Sequence, residues 1–274
     1  VAILMSAVCN FLGVLVMSLV NTTVAMTIKN MVNFNGDNKK ALIALCAAMF
    51  AIVVWAVAAW YFGIPTSESH ALIAGLSGAA ISLQGGLSGI NPAEWMKVIY
   101  GLGLSSILGF ASGFGASKMT IALCKNMERK KTNKFFTGAQ IAGSAATSFM
   151  HGAQDGQKFM ALLLLASPFS NAESKVNMLF IALLVGVFIL LGTLAGGGKI
   201  IDSLGNDIVR NTEKIAFLSD FSTTVSVFIC SILGFSVSTG NIKACSLIGA
   251  GLGENERINK ETVIKIIFTS VITF

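Results

Sequence analysis

Three stretches of the chain are apolar for about the length that crosses a bilayer. ALIALCAAMFAIVVWAVAAWYFGI (41–64) holds no charged residue, and VIYGLGLSSILGFASGFGA (98–116) and VNMLFIALLVGVFILLGTLA (176–195) follow the same pattern. As helix, roughly 20 such residues cover the roughly 30 Å of a membrane's hydrocarbon. Three further apolar stretches carry a polar mark: 1–26 with Asn10 inside it, 215–235 with Asp220 inside it, and the segment from Thr262 onward. No segment alternates polar and apolar residues as the wall of a membrane barrel must. The pattern predicts an all-α polytopic membrane protein.

Composition agrees. Hydrophobic residues make up 54% of the 274 and charged residues only 12%, where a soluble domain has about a quarter charged. The five cysteines have no paired spacing, which argues against a disulfide framework or a zinc site. A net charge of +6 in a soluble protein points to nucleic acid; here much of it sits in KNMERKKTNK (125–134), five basic residues around one acid. Short basic loops are retained in the cytoplasm, so 118–134 is expected to be a cytoplasmic loop, with lipid phosphate as a second use of its charge. Membrane lipids are expected partners and nucleic acid is not. Three crossings back from that loop place 29–40 outside, with 67–84 crossing the membrane.

The chain also repeats itself. FGIPTSESHALIAGLSGAAI (62–81) aligns with LGFSVSTGNIKACSLIGAGL (233–252) at an offset of 171 residues, matching Gly63 with Gly234, Ser67 with Ser238, Leu76 with Leu247 and Gly78 with Gly249. Each copy closes an apolar span with a Ser/Thr-rich break and opens a small-residue helix. Duplicated halves interrupted at corresponding places point to a secondary transporter with its site between the halves. An interrupted helix exposes backbone N–H groups at the start of its second half, and with the positive end of the helix dipole these attract anions.

HGAQDGQK (151–158) resembles the HGANDVQK signature of the inorganic phosphate transporter (Pit-type) family, and IPTSESH (64–70) and SVSTGN (236–241) resemble its paired LPVSTTH motifs. The stretch 192–224 is similar to the family's connecting segment, so the resemblance spans the chain. It implies an inverted-repeat secondary transporter with broken helices or re-entrant hairpins, in the plasma membrane, carrying phosphate with sodium or protons and using no cofactor. It divides the chain into a first repeat (1–117), the basic loop (118–134) and a second repeat (135–274), and it implies a homodimer. The family has one such signature per half. The partner of His151 would fall about 20 residues before Val1, so both ends of the chain are expected to be cut.

Residue by residue, the resemblance makes Ser67, Ser69, His70, Gln157, Ser238 and Thr239 phosphate ligands. Gln154, Asp155 and Asp220 become cation-coupling groups, with sodium at Asp155. Gln154, Gly156, Gly240 and Asn241 stand where the family has Asn, Val, Thr and His. These departures keep two alternatives open: a sulfate or other oxyanion permease, or a transport-inactive scaffold.

The residues have blander readings too. An Asp at the centre of a membrane helix costs about 2.5 to 3.5 kcal/mol, which favours a function. Lys158, three residues on and on the same face, can equally be its structural partner. Asp220 divides between an ion role and interface capping. His70 divides between anion contact and structural hydrogen bonding, and His151 is expected to bond backbone just before a broken helix. GGLSG (85–89) and GGG (196–198) lack the lysine and hydroxyl of a phosphate-binding loop, and no HExxH spacing occurs, so no enzyme is indicated.

Overall fold

The most apolar helices are not the buried ones. In the computed structural model, which describes residues 1–34, 38–62, 66–166, 175–204, 209 and 212–273, the helices are α1 (Ala2–Val20), α2 (Thr23–Met31), α3 (Asn38–Phe62), α4 (Glu68–Gln84), α5 (Pro92–Cys124), α6 (Arg129–Ala166), α7 (Lys175–Leu204), α8 (Glu213–Ile232), α9 (Thr239–Gly253) and α10 (Lys260–Ile272). Among the described residues α1, α3, α5, residues 177–196 of α7, and α8 are long and apolar enough to cross a membrane. The α3 window has a mean hydropathy of 2.7 yet only 11% of it is buried, whereas α8 has 1.7 and 61%. Lipid accepts Phe50, Val53, Val54 and Val57 of α3 on the outside. The polar side chains of α8 (Ser219, Asp220, Ser222, Thr223, Ser226, Ser231) need partners and turn inward. The chain is an integral, all-α membrane protein.

The two ends of the helix bundle are marked by polar contacts. At one, Lys214 pairs with Glu254 at 2.8 Å, Ser117 donates to Glu254 at 3.0 Å, and Thr137 donates to Glu213 at 2.5 Å. At the other, Asn33 N–H donates to the Gly89 carbonyl at 2.8 Å, Asn91 N–H donates to the Met31 carbonyl at 2.9 Å, and Val32 forms an isolated antiparallel bridge with Ile90. α5 runs between them, so the segment after α2 and the segment after α4 lie together, at the end opposite 125–128.

Helices α3 and α4 form one hairpin and α8 and α9 another. The α8–α9 hairpin begins at Lys214 and ends at Glu254, side by side; the α3–α4 hairpin begins just after Asn33 and ends beside it, since Gln84 Nε2 donates to the Asn33 carbonyl at 3.3 Å. The hairpins therefore enter from opposite ends. Their tips meet inside the protein, where Ser69 Oγ donates to the Val237 carbonyl at 3.3 Å.

Close approach of backbones fixes these helices against one another. A Cβ on Gly152 of α6 would lie 2.0 Å from the Asn10 carbonyl of α1, and one on Gly249 of α9 would lie 2.2 Å from the Phe110 carbonyl of α5. Small residues permit this, and in lipid it is packing rather than water exclusion that joins helices.

Four expectations are corrected. The segment 67–84 does not cross from face to face: the first turn of α4 is buried in the protein, and its 17 residues span about 25 Å back to the end where α3 started. Residues 1–26 are not one span. The chain breaks after α1, where the Asn21 side chain accepts from Thr23 N–H at 2.8 Å and Thr23 Oγ1 at 2.6 Å, a local turn that competes with the helix. The basic segment is mostly helical, because α5 continues to Cys124 and α6 resumes at Arg129. Finally, α6 is unbroken through 151–158. The interrupted helices are its neighbours.

Candidate functional site

The continuous helix α6 presents Gln154, Asp155, Gln157 and Lys158 about two-thirds of the way along its length, where other helices begin. α2 starts at Thr23, α4 at Glu68 and α9 at Thr239. Each start leaves unsatisfied N–H groups. Ser67 Oγ accepts from His70 N–H at 3.3 Å and Ser238 Oγ accepts from Asn241 N–H at 3.3 Å, so the two hairpins carry the same Ser cap at the same place in the repeat. The start of α2 is capped from outside: Gln157 Oε1 accepts from Val24 N–H at 3.1 Å and Ala25 N–H at 3.4 Å.

Lys158 sits at the centre. Its side chain is 3% exposed, and Nζ lies 2.6 Å from Asp155 Oδ1, 2.5 Å from Ser69 Oγ and 2.6 Å from the Val237 carbonyl. All three ammonium donors are thus engaged, one on α6 itself and one on each hairpin tip. The second carboxylate oxygen of Asp155 is 2.9 Å from His151 Nε2. His151 therefore bonds a side chain four residues on, not backbone, and its 49% exposed ring faces a cavity of about 810 Å³ that Asn10, Glu68, Ser148, Asp155 and Thr193 also line. Asp155 divides two environments. One oxygen faces the hairpin tips through Lys158, the other the cavity.

Gln154 is fully buried and uses both ends of its amide on the α8–α9 hairpin: Oε1 accepts from Ser231 Oγ at 2.5 Å and Nε2 donates to the Phe235 carbonyl at 2.8 Å. Its extra methylene over Asn lets it reach that backbone, and the geometry makes it a brace for the hairpin. Gly156 has a similar local reason. A Cβ there would lie 2.7 Å from Val14 Cγ2 of α1, so α1 supplies the volume that the family's valine would occupy.

Not every expected group gathers here. Asp220 lies beside Ser144, eleven residues before Asp155 on α6 and so about 16 Å along the axis. It forms its own cluster, with Oδ1 2.6 Å from Lys243 Nζ and Oδ2 accepting from Ser144 Oγ at 2.7 Å, while Lys243 also donates to Ser219 Oγ at 2.5 Å. Ser67, Ser69, His70, Ser238 and Thr239 are all buried in the first turns of α4 and α9. Gly240 opens on unfilled space. Among the described residues no group of three or more His, Cys, Asp or Glu is placed to hold a metal ion.

The central place of Lys158, and the parts played by Glu68, Ser231, Ser236 and the break before Thr23, do not stand out in the sequence. The Asn-Thr-Thr at 21–23 was the available signal for that break. Gln157 Nε2 and Ser236 Oγ are buried here with no hydrogen-bond partner among the described residues, and their residues are 1% and 0% exposed. Unpaired buried polar groups cost free energy unless something occupies them.

Opposed hairpin tips meeting on a charged crossing helix, with buried helix starts around it, define the class: a membrane transport protein rather than an enzyme. A family model described as the phosphate transporter family matches residues 1–126 and 118–274, and the chain belongs to that family. It is 30% identical to a probable low-affinity inorganic phosphate transporter of Bacillus subtilis (strain 168), over 99% of this chain and 81% of that protein. It is 28% identical to one from Mycobacterium leprae (strain TN), over 93% of this chain and 61% of that protein. The chain thus spans about three-fifths of the mycobacterial relative. A solved structure titled "The sodium-dependent phosphate transporter" superposes with a TM-score of 0.80 at 21% identity, covering 99% of this chain and 84% of the other, a likeness of fold.

Proposed function

We propose that the protein carries inorganic phosphate across the plasma membrane by secondary active transport, coupled to sodium or protons. The observation that carries this reading is the meeting of the α4 and α9 starts on Lys158, with the start of α2 beside them under Gln157. Helix starts and hydroxyls replace the water around an oxyanion at little cost, because their N–H groups and dipoles are already aimed inward. Ser67, Ser69, His70, Gln157, Ser238 and Thr239 are the ligands in this reading. Gln157 Nε2 and Ser236 Oγ supply donors without a partner among the described residues. Asp155 faces the cavity as the cation group, Gln154 holds the α8–α9 tip in register, and Asp220 serves a separate cluster.

The hairpins suit alternating access. They enter from opposite ends, so parting the α3–α4 tip from Lys158 opens the site toward one face and parting the α8–α9 tip opens it toward the other. An inverted repeat, a division of the chain into 1–117 and 135–274 about the segment 118–134, and a homodimer belong to the same reading.

Uptake of labelled phosphate into vesicles containing the protein, under an imposed sodium or proton gradient, tests it. Gradient-driven phosphate uptake that unlabelled sulfate does not compete away is the expected result. Sulfate uptake in its place selects the oxyanion alternative, and no gradient-dependent uptake of either ion refutes transport. Asp155→Asn is expected to abolish dependence on the coupling ion; an unchanged sodium or pH dependence in that variant removes Asp155 from the cation role.

A further inference from the structure

Lys158 has three donors and three acceptors, each acceptor on a different part of the machine: Asp155 Oδ1 on its own helix, Ser69 Oγ at the α4 tip and the Val237 carbonyl at the α9 tip. An oxyanion arriving among the helix starts meets a buried ammonium with no donor to spare. To bind the anion, Lys158 must release one of its present partners. The charged partner matters most, because a carboxylate left alone in a low-dielectric interior is strongly disfavoured.

We propose that Lys158 is the coupling switch of the transporter: it neutralises Asp155 while the site is empty and turns to the oxyanion when the site fills, leaving Asp155 to take a monovalent cation from the cavity. Cation binding then depends on anion binding through a single ammonium group. The layout on either side of Asp155 supports this. Oδ1 faces Lys158 and the hairpin tips. Oδ2, in contact with His151, lies on the side of the 810 Å³ cavity, where Glu68 and the 94% buried Asn10 line the wall and the Asn10 Oδ1 atom has no hydrogen-bond partner among the described residues. A cation arriving from the cavity meets a wall that Asn10, Glu68 and Asp155 line together, and it would displace His151 Nε2 from the oxygen of Asp155 that Lys158 does not hold. Charge balance works in the same direction. With Lys158 committed to the anion, Asp155 keeps its contact with His151 Nε2 at 2.9 Å, and while that imidazole is neutral the carboxylate lacks the one positive charge that Lys158 supplies in the empty site.

The inference rests on the transport reading above, and the experiment separates the two. Binding of radioactive sodium to the purified full chain is measured with and without inorganic phosphate, alongside phosphate binding. The unaltered protein is expected to bind sodium at least ten-fold more tightly with phosphate present. Absence of phosphate binding in the unaltered protein overturns the transport reading itself. In Lys158→Gln, sodium is expected to bind without phosphate and the phosphate requirement to disappear, while phosphate affinity falls at least ten-fold; Lys158→Arg, which keeps the charge, is expected to retain the requirement. Sodium binding that stays phosphate-dependent in Lys158→Gln, with phosphate binding intact in the unaltered protein, overturns the switch alone. If Lys158→Gln does not fold, sodium binding to the unaltered protein and to Lys158→Arg carries the test: a sodium affinity that phosphate raises in both supports the switch, and a sodium affinity that phosphate leaves unchanged in the unaltered protein overturns it.

Discussion

At the scale of single residues, helical spacing and tertiary contact divide the work between them. Asp155 and Lys158 are three apart and meet by spacing alone, as do His151 and Asp155, four apart. The other contacts of Lys158, to Ser69 and Val237, come from segments 89 and 79 residues away. Gln154 reads in sequence as an eroded signature position, yet its amide joins α6 to the α8–α9 hairpin through two buried hydrogen bonds. Interhelical bonds of this kind contribute about 0.6 to 2 kcal/mol each in membranes. Gln154→Leu, which keeps the volume and removes both, is therefore expected to lower stability by about 1 to 3 kcal/mol and to weaken phosphate affinity, since Ser236 and Ser238 lie on the loosened tip. Thermal unfolding in detergent and phosphate binding on the same sample check this, and unchanged values in both would sink the bracing role.

Elements are positioned by where the backbone can come close. α5 and α9 run in the same direction and interlock through Gly109, Gly113, Gly249 and Gly253; a Cβ on Gly113 would lie 2.4 Å from the Ser246 carbonyl. Gly103, on the same helix, has nothing within 4 Å. Gly113→Leu is expected to push α9 off α5 and to reduce folded yield sharply, and Gly103→Leu to leave it near normal, as size-exclusion profiles of the two variants will show. The chain's small-residue runs were legible as sites of helix contact, but which helix each one meets was not. That information is distributed over segments more than 100 residues apart, and no periodicity encodes it. The hairpins were half legible: the Ser/Thr breaks and their common offset stood out in sequence, and α4 and α9 begin 171 residues apart. The direction of α4 is not legible in the sequence, because a short helix returning from the interior and one crossing the membrane have the same composition.

For the molecule as a whole, the hairpins impose opposite sidedness on two connections of similar polarity. Residues 84–91 lie at the end of α5 where it starts, and 125–128 at the end where it stops. In a background freed of the five native cysteines, cysteines placed at Ser88 and Asn126 are expected to react with a membrane-impermeant maleimide from opposite sides of sealed vesicles. Labelling of both from the same side would contradict the arrangement of α5 and with it the two-sided access to Lys158. Phosphate added from either side is then expected to alter reactivity near both hairpin tips, since both contact the same ammonium.

The sequence alone determined the class, because the requirement to satisfy every backbone polar group in lipid leaves apolar runs of this length only one structure to form. It also determined the two capped helix starts, since a Ser cap acts within three residues. Tertiary structure decided the rest: that α6 is whole while its neighbours are broken, that Asp220 belongs to a separate cluster, and that Lys158 stands between the two hairpins. Those outcomes depend on contacts between distant segments, where the energy of burying a charge is set by the partners that folding delivers to it rather than by its neighbours along the chain.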